Sequence, residues 1–253
     1  MICLIALSCA ATGCSSSSSN STATYSGASG SPAWHVVALG DSVPRGANCY
    51  CTPYPPLSAE GLAASSGRTV TATNDSVAGY TTSNVLRQLE SDNSVIGHVR
   101  AADVVEIEVG ANDVPYTSSC GTSADCYTPL IPTIEKNLSE IVGRVRDLTS
   151  GHKVLVVVLD YWSVWLGGQY AATQGEAYVN AAESVTDQVN SVIKSTAATS
   201  GSGYVDLRAA FKGPTYSYDE TYYLSNDGDH PNAAGHKQIA AATDAVIEKA
   251  LHI

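Results

Sequence analysis

Five residues with useful chemistry stand far apart in this chain. Ser42 lies in Gly40-Asp41-Ser42-Val43, directly after the apolar run Trp34 to Leu39, which reads as a buried strand. A serine in a glycine-flanked turn at a strand end can expose its hydroxyl, although such a tetrapeptide is also ordinary turn composition. A hydroxyl is a poor nucleophile at neutral pH and needs an adjacent base. His230, in Asp227-Gly228-Asp229-His230-Pro231-Asn232, is the candidate base. An imidazole titrates at about 6.5, so it can take a proton and return it. Pro231 biases His230 away from helical geometry, so a loop offers the ring. A carboxylate would orient that ring, and Asp227 and Asp229 compete for the role. Gly79, in Ser76-Val77-Ala78-Gly79-Tyr80, and Asn112, in Gly110-Ala111-Asn112-Asp113, follow two further β-rich runs. Glycine allows close approach to a backbone N–H, and an asparagine amide offers two donors. Asp41 and Asp113 read as carboxylates that brace their turns. The other histidines (His35, His98, His152, His236 and His252) sit in no comparable motif and read as structural or solvated.

The elements that must position these residues alternate in type. Val36–Leu39, Thr69–Thr73, Val104–Val109, Val154–Leu159 and Tyr204–Val205 are short β-rich runs. Helical spacing of apolar residues marks Thr82–Leu89, Thr133–Leu148, Tyr178–Ile193 and Ala233–Leu251. Continuous apolar strands alternating with helices imply a parallel sheet covered on both faces. The expected fold is a three-layer α/β/α sandwich, flavodoxin-like, with roughly five strands. Its site should lie outside the carboxyl ends of the strands, where the loops bearing Ser42, Gly79 and Asn112 would gather.

The four blocks, Gly40-Asp41-Ser42-Val43, Gly79, Gly110-Ala111-Asn112-Asp113 and Asp227-x-x-His230-Pro231, resemble the signature blocks of the SGNH (GDSL) hydrolases. They occur in that family's order and span nearly the whole domain. The Gly-x-Ser-x-Gly elbow of the α/β-hydrolases is absent around Ser42. The resemblance implies a serine esterase or lipase with Ser42 as nucleophile, His230 as base and Asp227, by the Asp-x-x-His spacing, as orienter. It also implies an oxyanion hole made by the Ser42 and Gly79 backbone N–H groups and the Asn112 side chain. The implied chemistry needs neither a metal nor a cofactor.

Composition narrows the setting. With 24 acidic and 13 basic residues the net charge is -11, and no Lys/Arg-rich stretch could neutralise nucleic-acid phosphates. An apolar content of 44% supports one full core, assigned to residues 34–253. Residues 1–14 read as a processing segment: Ile2 to Ala11 is apolar but far too short to span a bilayer. It resembles a bacterial lipoprotein signal with Cys14 as the lipidated residue, and a plain secretory signal is the alternative. Residues 15–33, rich in Ser, Gly and Thr, read as a flexible tether. Export and an extracytoplasmic location follow from these segments, with a possible membrane tether through Cys14. Four cysteines remain, Cys49, Cys51, Cys120 and Cys126, and an even number in an exported chain implies disulfides. Cys120 with Cys126 closes an easy loop; Cys49 with Cys51 would form a small strained ring, and cross-pairing stays open. No Cys/His spacing points to zinc.

The substrate reading rests on the loop after the fourth strand, where Tyr161, Trp162 and Trp165 are candidates for walling the pocket. Tyr50, Tyr54, Tyr80 and Tyr116 flank the blocks and are further candidates for the cleft. A small-molecule, lipid or glycan-linked ester is expected, acted on by a monomer. An acyltransferase on a cell-wall glycan and a non-catalytic binding module tethered to the envelope are the alternatives.

Overall fold

The apolar runs become strands. The computed structural model describes residues 21–27 and 30–253. Six strands, β1 (Ser21–Tyr25), β2 (Trp34–Gly40), β3 (Val70–Asn74), β4 (Val104–Glu108), β5 (Leu155–Leu159) and β6 (Gly203–Val205), form one sheet in the order β1-β3-β2-β4-β5-β6. The five parallel strands expected from the sequence are all present, and β1 adds an antiparallel edge beside β3.

The helices are α1 (Ser42–Arg45), α2 (Tyr54–Ser66), α3 (Thr82–Ser91), α4 (Asn93–Arg100), α5 (Ile131–Leu148), α6 (Gly168–Ala172), α7 (Glu176–Ser200), α8 (Leu207–Lys212) and α9 (Ala233–Leu251). α2 packs on α9, and α9 on α8, β5 and β6; α5 packs on α3, α4 and α7, and α7 on β5. These two groups of helices make the outer layers. The core lies between them and the sheet, with Leu39, Val105, Ile107, Val157 and Leu159 all buried. β4 also buries two acids, Glu106 and Glu108, completely. Glu106 accepts from Ser58 Oγ at 2.9 Å, and burial raises its pKa to about 8.

One expectation is corrected. Residues 15–33 were expected to be a tether, but Ser21–Tyr25 is a strand, in register from Ser21 opposite Asn74 to Tyr25 opposite Val70. An edge strand gains its order from backbone hydrogen bonds and cross-strand pairs rather than from burying an apolar face. Here Thr24 Oγ1 lies 3.3 Å from Thr71 Oγ1. Cys14 and the leader 1–14 lie outside the described residues.

β2 is the pivot of the topology. The chain passes from β2 to β3 on one side and then to β4 on the other. Loops leaving neighbouring strands at such a switch point diverge above the sheet and leave a crevice. The loops after β2, β3 and β4 carry Ser42, Gly79 and Asn112.

Candidate active site

Strand β2 ends under tight steric control. A Cβ on Gly40 would stand 2.0 Å from the Glu108 carbonyl oxygen, so only glycine lets β2 and β4 close up there. Asp41 N then donates to that same oxygen at 3.2 Å. Asp41 caps α1, its Oδ1 accepting from Val43 N at 3.0 Å. This places Ser42 in the first turn, where backbone N–H groups have no helical acceptor. Tyr161 Oη donates to Asp41 Oδ2 at 2.6 Å. Burial raises the Asp41 pKa to about 6, against the opposing bonds from Tyr161 and Val43 and the nearby charge of His230. Asp41 is therefore a buried brace next to Ser42, in keeping with its expected role in bracing the turn. Asp113, partly buried, braces a second loop: its carboxylate accepts from Thr82 N at 2.9 Å and Thr82 Oγ1 at 2.6 Å, tying the β4 loop to α3.

His230 is offered by a pinned loop. Leu224 and Pro231 form an isolated antiparallel bridge, and Ser225 N donates to the His230 carbonyl at 2.8 Å. Asn232 closes the loop by capping α9, its Oδ1 accepting from Ala234 N and Gly235 N. Asp227 Oδ2 lies 2.8 Å from His230 Nδ1, while Asp229 Oδ2 lies 3.8 Å away. The geometry thus favours Asp227 over Asp229 as the ring's partner. Burial alone would raise the Asp227 pKa. Donation from His230 N, Asp229 N, the His230 ring and Asn48 outweighs it and holds the carboxyl below the usual range. With Nδ1 occupied by Asp227, Nε2 is the nitrogen left for proton transfer.

Ser42, Asn112 and His230 line one cavity of about 370 Å³, and Asp229 and Tyr116 share its wall. Asn112 Nδ2 donates to the Tyr80 carbonyl at 3.0 Å, which fixes the amide and joins the β3 and β4 loops. Gly79 stands one residue before Tyr80 and is not in the cavity lining. Its loop is held against β2 by Val77 N donating to Gly40 O at 3.1 Å. Among the described residues, neither the Ser42 nor the Gly79 N–H donates to a protein acceptor. Gly79 has a φ of +82°, and a Cβ there would meet no protein atom within 4 Å. Backbone conformation, rather than crowding by neighbouring protein, is what requires glycine at this position.

The aromatic candidates are sorted by the structure. Tyr161, Trp162 and Trp165 all line the cavity, yet each is at most 4% exposed. Trp162 stacks on Phe211 with ring centroids 4.3 Å apart, and Trp165 Nε1 donates to Val114 O at 2.7 Å. They are wall and core at once. Tyr116 is the more open contact at 45% exposure, packed edge-on to Trp165. Three of the flanking tyrosines are not in this wall: Tyr54 is buried at the start of α2, Tyr50 is fully exposed on a separate groove, and Tyr80 is absent from the lining.

The cysteines pair locally, Cys49 with Cys51 and Cys120 with Cys126, which excludes cross-pairing. Cys49, Cys51 and His236 come within 4.8 Å of one another, a grouping that their spacing does not announce. The two sulfurs are bonded to each other and so are not open to a metal in this form. His98 pairs with Asp75 at 2.9 Å, and His152 Nε2 contacts the Ala102 carbonyl at 2.8 Å, so both are structural. Sequence reasoning missed Asn48, whose amide donates to Asp227 Oδ2 at 2.6 Å. No motif marks it.

Solved structures share this architecture. Lip_vut3, a lipase from a goat rumen metagenome, superposes with a TM-score of 0.66 at 20% identity, covering 84% of this chain and 97% of its own. Axe2, an acetylxylan esterase from Geobacillus stearothermophilus, gives 0.57 at 21% identity, covering 83% and 91%. These likenesses define an α/β fold shared with ester-cleaving enzymes. Among curated proteins no sequence matches significantly. The model of the GDSL-like lipase/acylhydrolase family matches residues 38–238, and the chain belongs to that family. It is accordingly a serine hydrolase acting on esters.

Proposed function

We propose that the protein is an extracytoplasmic esterase that cleaves short, uncharged acyl esters through an acyl-enzyme on Ser42. The observation that carries this reading is the single cavity bounded by Ser42, Asn112 and His230, with Asp227 bonded behind the ring. Ser42 Oγ attacks the ester carbonyl as His230 Nε2 takes its proton. The Asp227 carboxylate stabilises the imidazolium and holds its tautomer. The Ser42 N–H and the Asn112 amide meet the developing oxyanion, and the Gly79 N–H is the third donor. His230 then returns the proton to the departing alcohol. Water, activated by the same ring, releases the acid.

Two features support the substrate class, and a third supports hydrolysis. The cavity is near the lower end of the usual range for ligand sites, about 300–1,000 Å³, which suits a short acyl group. Its lining includes Asp41 and Asp229 and no Lys or Arg, which disfavours anionic acyl groups. The side chains of His230 and Asp227 are 16% and 30% exposed, so water can reach the base, favouring hydrolysis over transfer to a second alcohol. A glycan-borne acyl group is the second reading. The polar Asn112, Ser163 and Gln174 beside exposed Tyr116 favour it, and one similar structure is an acetylxylan esterase. Export is supported by the two disulfides, which persist in oxidising compartments. The leader and a lipid on Cys14 belong to the same proposal.

The test is a chain-length series of 4-nitrophenyl esters run beside acetylated xylan, with Ser42→Ala as control. Turnover should be greatest for acetate to butyrate and vanish in Ser42→Ala. Full activity in Ser42→Ala would sink the mechanism, and a preference for long chains would sink the substrate class.

A further inference from the structure

Asn48 is exposed and belongs to no motif, yet its amide reaches the catalytic pair. Its Nδ2 donates to Asp227 Oδ2 at 2.6 Å and lies 3.4 Å from His230 Nδ1. Oδ2 is the same oxygen that the His230 ring approaches. The backbone holds Asn48 from several directions. Its φ is +57°, a left-handed conformation that asparagine tolerates better than most residues. Ser225 Oγ donates to its carbonyl at 3.3 Å, Cys49 N donates to Gly46 O at 3.4 Å, and the Cys49–Cys51 disulfide closes the chain directly after it. Ala47 N donates to Ser42 O at 3.0 Å. One short segment therefore carries Ser42 at one end and a grip on Asp227 at the other.

We propose that Asn48 is a positioning residue for the Asp227–His230 pair, and that the Cys49–Cys51 disulfide holds it in place. The proposal rests on Ser42, His230 and Asp227 being the reacting set. The amide fixes the rotation of the carboxylate and so the direction of the ring bonded to it. It also competes with the ring for Oδ2 and sets a partial positive charge beside Nδ1. Both effects weaken stabilisation of the imidazolium, leaving it readier to give its proton to the leaving group. The titratable groups around that ring are Asp227, Asp229, Asp41 and His236. Asn48 is a neutral donor set among them.

Two variants separate the amide from the backbone. Glycine accepts the left-handed conformation, so Asn48→Gly deletes the amide without straining the turn. Asn48→Asp keeps the shape and replaces the donor with an acceptor. The primary readout is the NMR titration of the His230 ring, assigned by its loss in His230→Gln, which needs no turnover. Beside it stands the pH profile of kcat/KM on 4-nitrophenyl acetate. Asn48→Gly should move the titration and the acid limb of the profile to higher pH. It should lower kcat roughly tenfold, the scale of one lost hydrogen bond to a charged group, with KM within about twofold. Asn48→Asp should move both further. Cys49→Ser with Cys51→Ser should act in the direction of Asn48→Gly, whereas Cys120→Ser with Cys126→Ser should leave the titration in place. An unchanged titration in both Asn48 variants overturns the proposal, even if their melting temperatures fall. An unchanged titration in the Cys49/Cys51 pair overturns the disulfide's part. A shifted titration in a protein that cleaves no ester upholds the positioning and refutes the catalytic reading instead.

Discussion

Replacing Asn112 with alanine isolates the electrostatic part of the mechanism. The amide has two hydrogens, and one is committed to the Tyr80 carbonyl at 3.0 Å. That bond sets the plane of the amide, so the second hydrogen is already aimed when the substrate arrives. A donor of this kind meets charge that exists only in the transition state. Its loss costs roughly 3–4 kcal/mol, or about 10²–10³-fold in kcat. KM should change little, because the ground-state carbonyl gains little from the same donor. A smaller structural cost follows from the orphaned Tyr80 carbonyl, about 1 kcal/mol, or a drop of about 2–4 °C in Tm for a domain of this size. The assay is steady-state kinetics on 4-nitrophenyl acetate, paired with thermal melting. Asn112→Asp is the informative companion, since it keeps the shape and supplies no N–H. It should lose at least as much kcat as Asn112→Ala. A kcat within about threefold of wild type in Asn112→Ala would refute the assignment. A change confined to KM would make Asn112 a substrate-binding group rather than an oxyanion donor.

Other predictions follow from the supports of the site. Tyr161→Phe removes the 2.6 Å bond to buried Asp41 and should destabilise the fold by about 1.5–3 kcal/mol, read by urea unfolding; a loss under 0.5 kcal/mol contradicts the brace. Glu106, fully buried in β4, has its pKa raised by burial to about 8. The folded protein therefore binds more protons than the unfolded chain between the ordinary carboxyl range and that value, and stability falls as pH rises through this window. The slope is about 1.4 kcal/mol per pH unit for each such group, so Tm should be higher at pH 5 than at pH 8, and Glu106→Gln should flatten the difference. A Tm at pH 8 equal to that at pH 5 would contradict it. Trp165→Ala opens the cavity wall and should move the preferred acyl chain to greater length in the nitrophenyl series; an unchanged optimum would mean the acyl group binds elsewhere.

Much of this was legible in the sequence, for identifiable reasons. β5 is a continuous apolar run, and β2 and β4 are largely apolar, because both faces of a parallel sheet are covered. α5 shows its apolar stripe because only one face is buried. α2 escapes notice because Tyr54, Pro55, Pro56, Ser58, Ala59, Leu62 and Ala63 are all buried, leaving no single stripe, and because it opens on two prolines. β1 escapes because its residues are polar and its order comes from β3. Ser42, Gly79, Asn112, Asp227 and His230 were readable because each sits in a short block with its own local geometry. Asn48 was not, because its role arises only when a loop 179 residues away folds back over it. The buried acids Glu106 and Glu108 were hidden inside a run that otherwise reads as apolar.

The edge strand β1 also fixes a direction. Because it runs antiparallel to β3, its first residue, Ser21, sits opposite Asn74, at the carboxyl end of β3. That is the rim of the sheet from which the loops to Ser42, Gly79 and Asn112 depart. β1 and β2 are separated by β3 alone, so Ser21 lies about 10 Å to the side of the strand that leads to Ser42. Any pull on the domain through residues before Ser21 is thus applied at that rim on the β3 side of β2, whereas the cavity is lined from the loops after β2, β4 and β5. The amino ends of the parallel strands lie at the opposite rim.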